Sequence, residues 1–190
     1  MKSSAQLFIE SPLSEDELLA LAGEANRRLV ANFGTESRRR EALMWRHIIR
    51  RELGADTEIA YNANGAPVLL NRTEQISVSH SADFVGVIIS DNRCAIDIER
   101  LDRNFGRVAE RYIRPEEWAL SQDERLAATL WCAKEALYKY SDERGLDFLR
   151  DLKILSLDLE QGKILGQIKN YPPVMMHIEF HSENAVVYIA

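Results

Sequence analysis

Cys94-Ala95-Ile96-Asp97-Ile98-Glu99 alternates apolar and acidic side chains. In a strand, successive side chains point to opposite faces. Ile96 and Ile98 are therefore expected on a core, with Asp97 and Glu99 together on the other face, roughly 6–7 Å apart. Working outward, upstream strands are expected at Ile76–Val78 and Phe84–Ser90, joined to this one by the turn Asp91-Asn92. Downstream, residues 105–140 return to helical periodicity. Pro115 suits a first helical position followed by Glu116 and Glu117. Ser121 and Glu124 pattern as a capping box before a helix that reaches about Tyr140. The tail reads as four strands: Leu152–Leu159, Ile164–Ile168, Val174–Phe180 and Ala185–Ile189. Near the start, Ser14 and Glu17 make another capping box, with Leu18, Leu21, Ala25 and Leu29 at helical spacing. A second helix is expected from about Ser37 to Leu53, its buried stripe Ala42, Trp45, Ile49 and Leu53 and its stop Gly54. Arg39, Arg46 and Arg50 lie off that stripe and are expected to face solvent or a cleft. The class is α+β, helices on antiparallel sheet.

Composition bounds the rest. The chain has 190 residues, a net charge of −6 and 46% hydrophobic residues, which excludes wholesale disorder. The longest apolar run, Phe84 to Ile89, is far short of the ~18 residues of a membrane span. The leading segment, with one lysine and early acids, does not read as a signal peptide. Cys94 and Cys132 lack the spacing of a zinc site or redox pair, which suggests reduced thiols and a cytoplasmic protein. Net acidity argues against a nucleic-acid coat protein. Charge is unevenly spread, however. Arg27 to Arg51 holds eight arginines against Glu36 and Glu41, so this segment is +6 and the remainder −12. Such asymmetry suggests an anion site or an acidic partner, with a solvated helix face as the alternative.

Three features carry chemistry. Asp97 and Glu99 form an oxygen pair of the kind that suits Mg²⁺, which takes one or two carboxylates plus water and substrate phosphate. In Leu130-Trp131-Cys132-Ala133-Lys134-Glu135-Ala136-Leu137-Tyr138-Lys139, the apolar stripe is Leu130, Ala133 and Leu137. Glu135 and Lys139, four apart, share another face, where a carboxylate beside a cation can hold metal and phosphate together. Ser77-Val78-Ser79-His80-Ser81 sets small hydroxyls around an imidazole, which can receive a phosphate. Each feature alone also fits a plain structural role: an exposed strand, a surface ion pair, a capped turn.

Their order is more specific: Gly65-x-Pro67, Ser79-His80-Ser81, Asp97-x-Glu99, then Trp131-x-x-Lys134-Glu135-x-x-x-Lys139. It resembles the 4′-phosphopantetheinyl transferases, in particular the surfactin-synthetase-activating type, from about residue 20 to the C-terminus. The resemblance implies a pseudo-dimer of two similar α+β halves, residues 1–90 and 91–190, with one active site in the cleft and a monomeric chain. It implies a holo-carrier-protein synthase, moving the phosphopantetheine arm of coenzyme A to a serine of an acidic apo acyl- or peptidyl-carrier protein and releasing 3′,5′-ADP. Neither nucleic acid nor membrane is implied as a partner. Asp97, Glu99 and Glu135 would hold Mg²⁺, with Glu117 as a further candidate ligand. Glu135 would also help deprotonate the carrier serine, and Lys139 would offset phosphate charge. Ser79, His80, Lys134, Lys139, Arg40 and Arg46 are the implied coenzyme A contacts. The chain departs from the family's pattern in three places. Ala95 stands where a glycine is usual and Ala66 where a basic residue is usual, and only Arg144-Gly145-Leu146 remains of a glycine-rich turn. Ala66 and Ala95 support an alternative, a weakened relative that binds coenzyme A or a carrier without efficient transfer.

Overall fold

The computed structural model describes residues 5–190. Met1–Ser4, the start of the leading segment read against a signal peptide, lie outside the described residues. Strand β1 (Ala5–Glu10) opens the described chain, followed by helices α1 (Glu15–Leu21), α2 (Glu24–Val30) and α3 (Glu36–Leu53). Strands β2 (Ile59–Tyr61) and β3 (Pro67–Leu69) form a small hairpin, and β4 (Gln75–His80), β5 (Val85–Ser90) and β6 (Ala95–Arg100) follow. Two 3-10 segments, Phe105–Arg111 and Pro115–Leu120, lead to α4 (Leu126–Ser141). Strands β7 (Leu152–Asp158), β8 (Lys163–Ile168), β9 (Val174–His181) and β10 (Asn184–Ile189) close the chain.

All pairing is antiparallel, in a three-stranded sheet of order β1-β5-β4 and a five-stranded sheet of order β6-β10-β9-β8-β7. Every strand of the first sheet precedes Asp91 and every strand of the second follows it. A long helix covers each. From α3, Leu43, Ile48 and Ile49 pack with Val85, Val87 and Ile89 of β5. From α4, Leu130, Ala133 and Leu137 pack with Ile154, Ile164, Met176 and Val187. A third cluster, Ile88, Ile96, Ile98 and Val186, fills the space between the sheets. Strand β5 is thus buried on both faces, consistent with its unbroken apolar sequence.

Two devices bring the sheets together. Gly86 of β5 leaves room for the isoleucines of β6: a Cβ there would lie 2.6 Å from Ile98 Cδ1 and 2.7 Å from Ile96 Cδ1. Along the β4–β6 seam, Ser77 Oγ accepts from the Ile96 amide and Ser79 Oγ from the Ile98 amide, each at 3.1 Å. Side-chain hydroxyls there replace the carbonyls of a neighbouring strand, so the buried amides of β6 stay satisfied.

Helix α3 and the four tail strands lie close to their expected bounds. Thr35 caps α3, and Gly54 ends it at φ 109. The Ser14–Glu17 capping box forms, but the expected first helix breaks at Gly23 into α1 and α2, leaving Leu21 and Leu29 exposed. The Ser121–Glu124 box does not form. Ser121 Oγ accepts from the Asp123 amide and Asp123 accepts from the Arg125 amide, so α4 starts only at Leu126. Strands β1, β2 and β3 were not expected from the sequence. Nor does Arg46 face solvent: it is 3% exposed.

Candidate active site

A cleft of about 670 Å³ opens where β4, β6, α4 and the β2–β3 turn converge. Strand alternation on β6 delivers Asp97 and Glu99 to it, and helical spacing on α4 delivers Glu135 and Lys139. Asp97 is 5% exposed, and its Oδ1 accepts from Lys139 Nζ at 2.8 Å and Ser79 Oγ at 3.0 Å. Its Oδ2 is buried without a partner among the described residues. Glu99 accepts from the Trp131 indole N–H at 2.8 Å and pairs with Arg103. Lys139 Nζ also donates to the Ile96 carbonyl at 2.9 Å.

These carboxylates perturb one another. Burial, and then the charge of Asp97, push Glu135 up to about 7, with Lys139 opposing. The same two causes raise Glu99, opposed by hydrogen bonds from Arg103 and Trp131. Crowded acids of this sort favour either a shared proton or a cation.

The remaining expected site residues divide. His80 stands at the mouth of the cleft, half-exposed, with Nε2 3.3 Å from Glu41. Ser79 lines the cleft, but its hydroxyl is engaged by Asp97 and the Ile98 amide, so it orients the carboxylate. Lys134 and Glu117 lie outside the cleft. Lys134 is fully buried, its Nζ 2.7 Å from Glu117 and capped by the Tyr112 and Phe148 carbonyls. Glu117 also accepts from the Arg114 and Ile154 amides at 2.8 Å. The pair ties the segment before α4 to α4 and β7, away from the cleft where the resemblance implies a coenzyme A contact and a metal ligand. Arg40 is directed to the Leu13 and Pro12 carbonyls and pins the chain before α1. Arg46 bonds the Ala42 carbonyl and the Tyr61 hydroxyl and stacks on Trp45 at 3.9 Å. Neither arginine lines the cleft.

Sequence reasoning missed three contributors. Arg103 closes over Glu99 from the turn after β6. Trp131, in the motif but without an assigned role, fixes Glu99. Asp142, left-handed at φ 53 just beyond α4, accepts from Asn62 Nδ2 at 3.0 Å and from Asn64 Nδ2 at 3.1 Å. Arg144 adds a bond to the Ala63 carbonyl. The turn of the β2–β3 hairpin is thereby clamped to the end of the helix that carries Glu135 and Lys139. Asn62-Ala63-Asn64-Gly65 announces the turn; its partner 80 residues away has no local signal.

The family model of the 4′-phosphopantetheinyl transferase superfamily matches residues 93–189, just over half the chain, and takes in β6 and α4. The chain belongs to the 4′-phosphopantetheinyl transferase superfamily. No curated protein matches it at a significant level. The superfamily transfers phosphopantetheine from coenzyme A to carrier proteins, and the chain is a transferase of that kind. The matched span contains Asp97, Glu99, Glu135 and Lys139; the β4 and α3 contributions to the cleft lie before it.

The family implies Mg²⁺. Among the described residues, no group of three histidine, cysteine or carboxylate side chains stands close enough to hold a metal by itself. The donor chemistry nevertheless fits an ion whose shell is completed by water and substrate phosphate. The cleft offers hard carboxylate oxygens, and Asp97 Oδ2 is buried without a partner.

Proposed function

We propose that this transferase moves the 4′-phosphopantetheine arm of coenzyme A onto a serine of an acidic apo acyl- or peptidyl-carrier protein, with Mg²⁺, as a cytoplasmic monomer. The observation that carries this reading is the juxtaposition of the unpartnered Asp97 Oδ2 with Glu135, whose carboxyl is tuned to about 7 in the same cleft. Asp97, Glu99 and Glu135 would each offer an oxygen to an ion whose shell is completed by water and the pyrophosphate, where it would supply charge neutralisation. The serine oxygen forms a bond to the β-phosphorus and the bond to the departing 3′,5′-ADP breaks. Glu135 takes the serine proton as the general base. Lys139 offsets charge on the phosphates, and His80 binds a phosphate at the mouth of the cleft.

A weakened relative is the second reading. Ala66 lines the cleft where family members offer a basic side chain, and its methyl makes no ion pair. Ala95 gives that reading no support, because it packs into the core beneath α4. Incubation of an apo carrier with coenzyme A and Mg²⁺ is expected to add the mass of one phosphopantetheine. No gain on any of several acyl and peptidyl carriers would overturn the transfer reading. Calorimetric binding of coenzyme A without transfer would establish the second.

A further inference from the structure

We infer that the N-terminal half carries a second small-molecule site, separate from the cleft, for an amphiphile with one acidic head and a short apolar body. The site is a pocket of about 540 Å³ under the α1–α2 junction. That volume falls within the roughly 300–1,000 Å³ of small-molecule pockets. Leu43, Arg46, His47 and Arg50 line it from α3, at the spacing that gathers residues on one helix face. Leu18 and Leu21 line it from α1. None of its lining residues lines the cleft.

Its charge is uncompensated. Among the described residues, neither Arg46, which is 3% exposed, nor Arg50, which is partly buried, makes an ion pair. Arg50 Nη1 is buried with no partner, and burial together with the neighbouring charge of Arg46 lowers the Arg50 pKa. The nearby acids are committed elsewhere: Glu24, on the rim, pairs with Arg28, and Glu10 and Glu52 pair with Arg51. A partly buried arginine without an anion is costly, and an exogenous carboxylate or phosphate monoester in the pocket would offset the charge of the Arg50 side chain that lines it. The apolar body has its counterpart in Leu21, which is 57% exposed at the rim, above the buried Leu18 and Leu43. The excess of arginine in this segment is thus explained in part by a pocket on the far side of α3.

The test is calorimetry on the full chain with octanoate, octyl phosphate, octanol and inorganic phosphate, repeated with coenzyme A at saturation. One octanoate or octyl phosphate is expected to bind per chain, with or without coenzyme A, and the tighter of the two names the headgroup. Arg50→Met is expected to weaken it about tenfold or more, the loss of one charged hydrogen-bonding partner. Leu21→Glu, at an exposed position that cannot harm the core, is expected to weaken it by repulsion and keeps the test decisive if Arg50→Met fails to fold. No binding of either acid at millimolar concentration overturns the site. So does unchanged affinity in the folded variants, or competition by coenzyme A. Inorganic phosphate or octanol binding as tightly as the acids overturns the amphiphile assignment.

Discussion

Lys139 Nζ and Asp97 Oδ1 are 2.8 Å apart, while Asp97 Oδ2, on the same buried carboxylate, has no hydrogen-bond partner among the described residues. One oxygen is thus held in place by the lysine and by Ser79, and the other is left available. A buried acceptor without a partner costs on the order of 1–3 kcal/mol. That cost is the kind a functional site retains.

Glu135→Gln should keep the fold, because the amide is isosteric and the site already raises the cost of the charge. Phosphopantetheine transfer, followed by mass spectrometry of the carrier, should fall about 10²–10⁴-fold with loss of the base. Near-normal transfer in this variant would remove Glu135 from the proposed chemistry.

The same residue should leave a mark on stability in metal-free protein. Its folded pKa of about 7 lies above its ordinary value. The folded state therefore holds the proton more tightly, and its contribution is complete at acidic pH and lost as pH rises through about 7. Wild-type protein in chelator should lose on the order of 2 kcal/mol from this group between about pH 4.5 and pH 7.5. Urea unfolding of Glu135→Gln should lack that loss. An identical pH profile in both proteins would sink the assignment.

Asp142→Ala should free the β2–β3 turn from α4 without touching the carboxylates. KM for coenzyme A is expected to rise about tenfold with kcat little altered, the signature of lost ground-state binding. A fall in kcat at unchanged KM would show that the clamp serves the chemistry instead.

Lys134→Met should strand the Glu117 carboxylate in the core, at a cost of about 3–5 kcal/mol. Pairing it with Glu117→Gln should recover much of that loss in denaturant titrations. At a temperature where the double variant is folded, coenzyme A affinity should match wild type; a large drop would restore Lys134 to the ligand.

Much of this site is local in sequence, and that part was readable. Alternation alone places Asp97 and Glu99 on one face of β6, and four-residue spacing alone aligns Glu135 with Lys139. The long helix α3 announced itself by periodicity and Gly54. What escaped reading depends on distant partners. Lys134 sits in the motif one residue from Glu135, yet a rotation of 100° per residue turns it to another face, where Glu117 awaits it. Arg46 looks solvent-facing on a helical wheel until α1, α2 and Tyr61 cover it. Strands β2 and β3 are three residues each, too short for a period to show. β1 starts beside the described N-terminus, and its pairing with β5 spans 80 residues.

Gly86→Ala should test how closely the two sheets are set. Its methyl would press on Ile96 and Ile98 and is expected to cost about 1–3 kcal/mol. Adding Ile98→Val should return part of that loss. Strict additivity of the two changes would show that the methyls do not meet.

The serines of the β4–β6 seam have a mechanical consequence. A carbonyl in a ladder is fixed by the backbone, but a hydroxyl swings away by rotation about one side-chain bond. Because Ser79 also holds Asp97, one side chain both joins the sheets and orients a carboxylate, so a change at this serine is felt at the seam and in the cleft together.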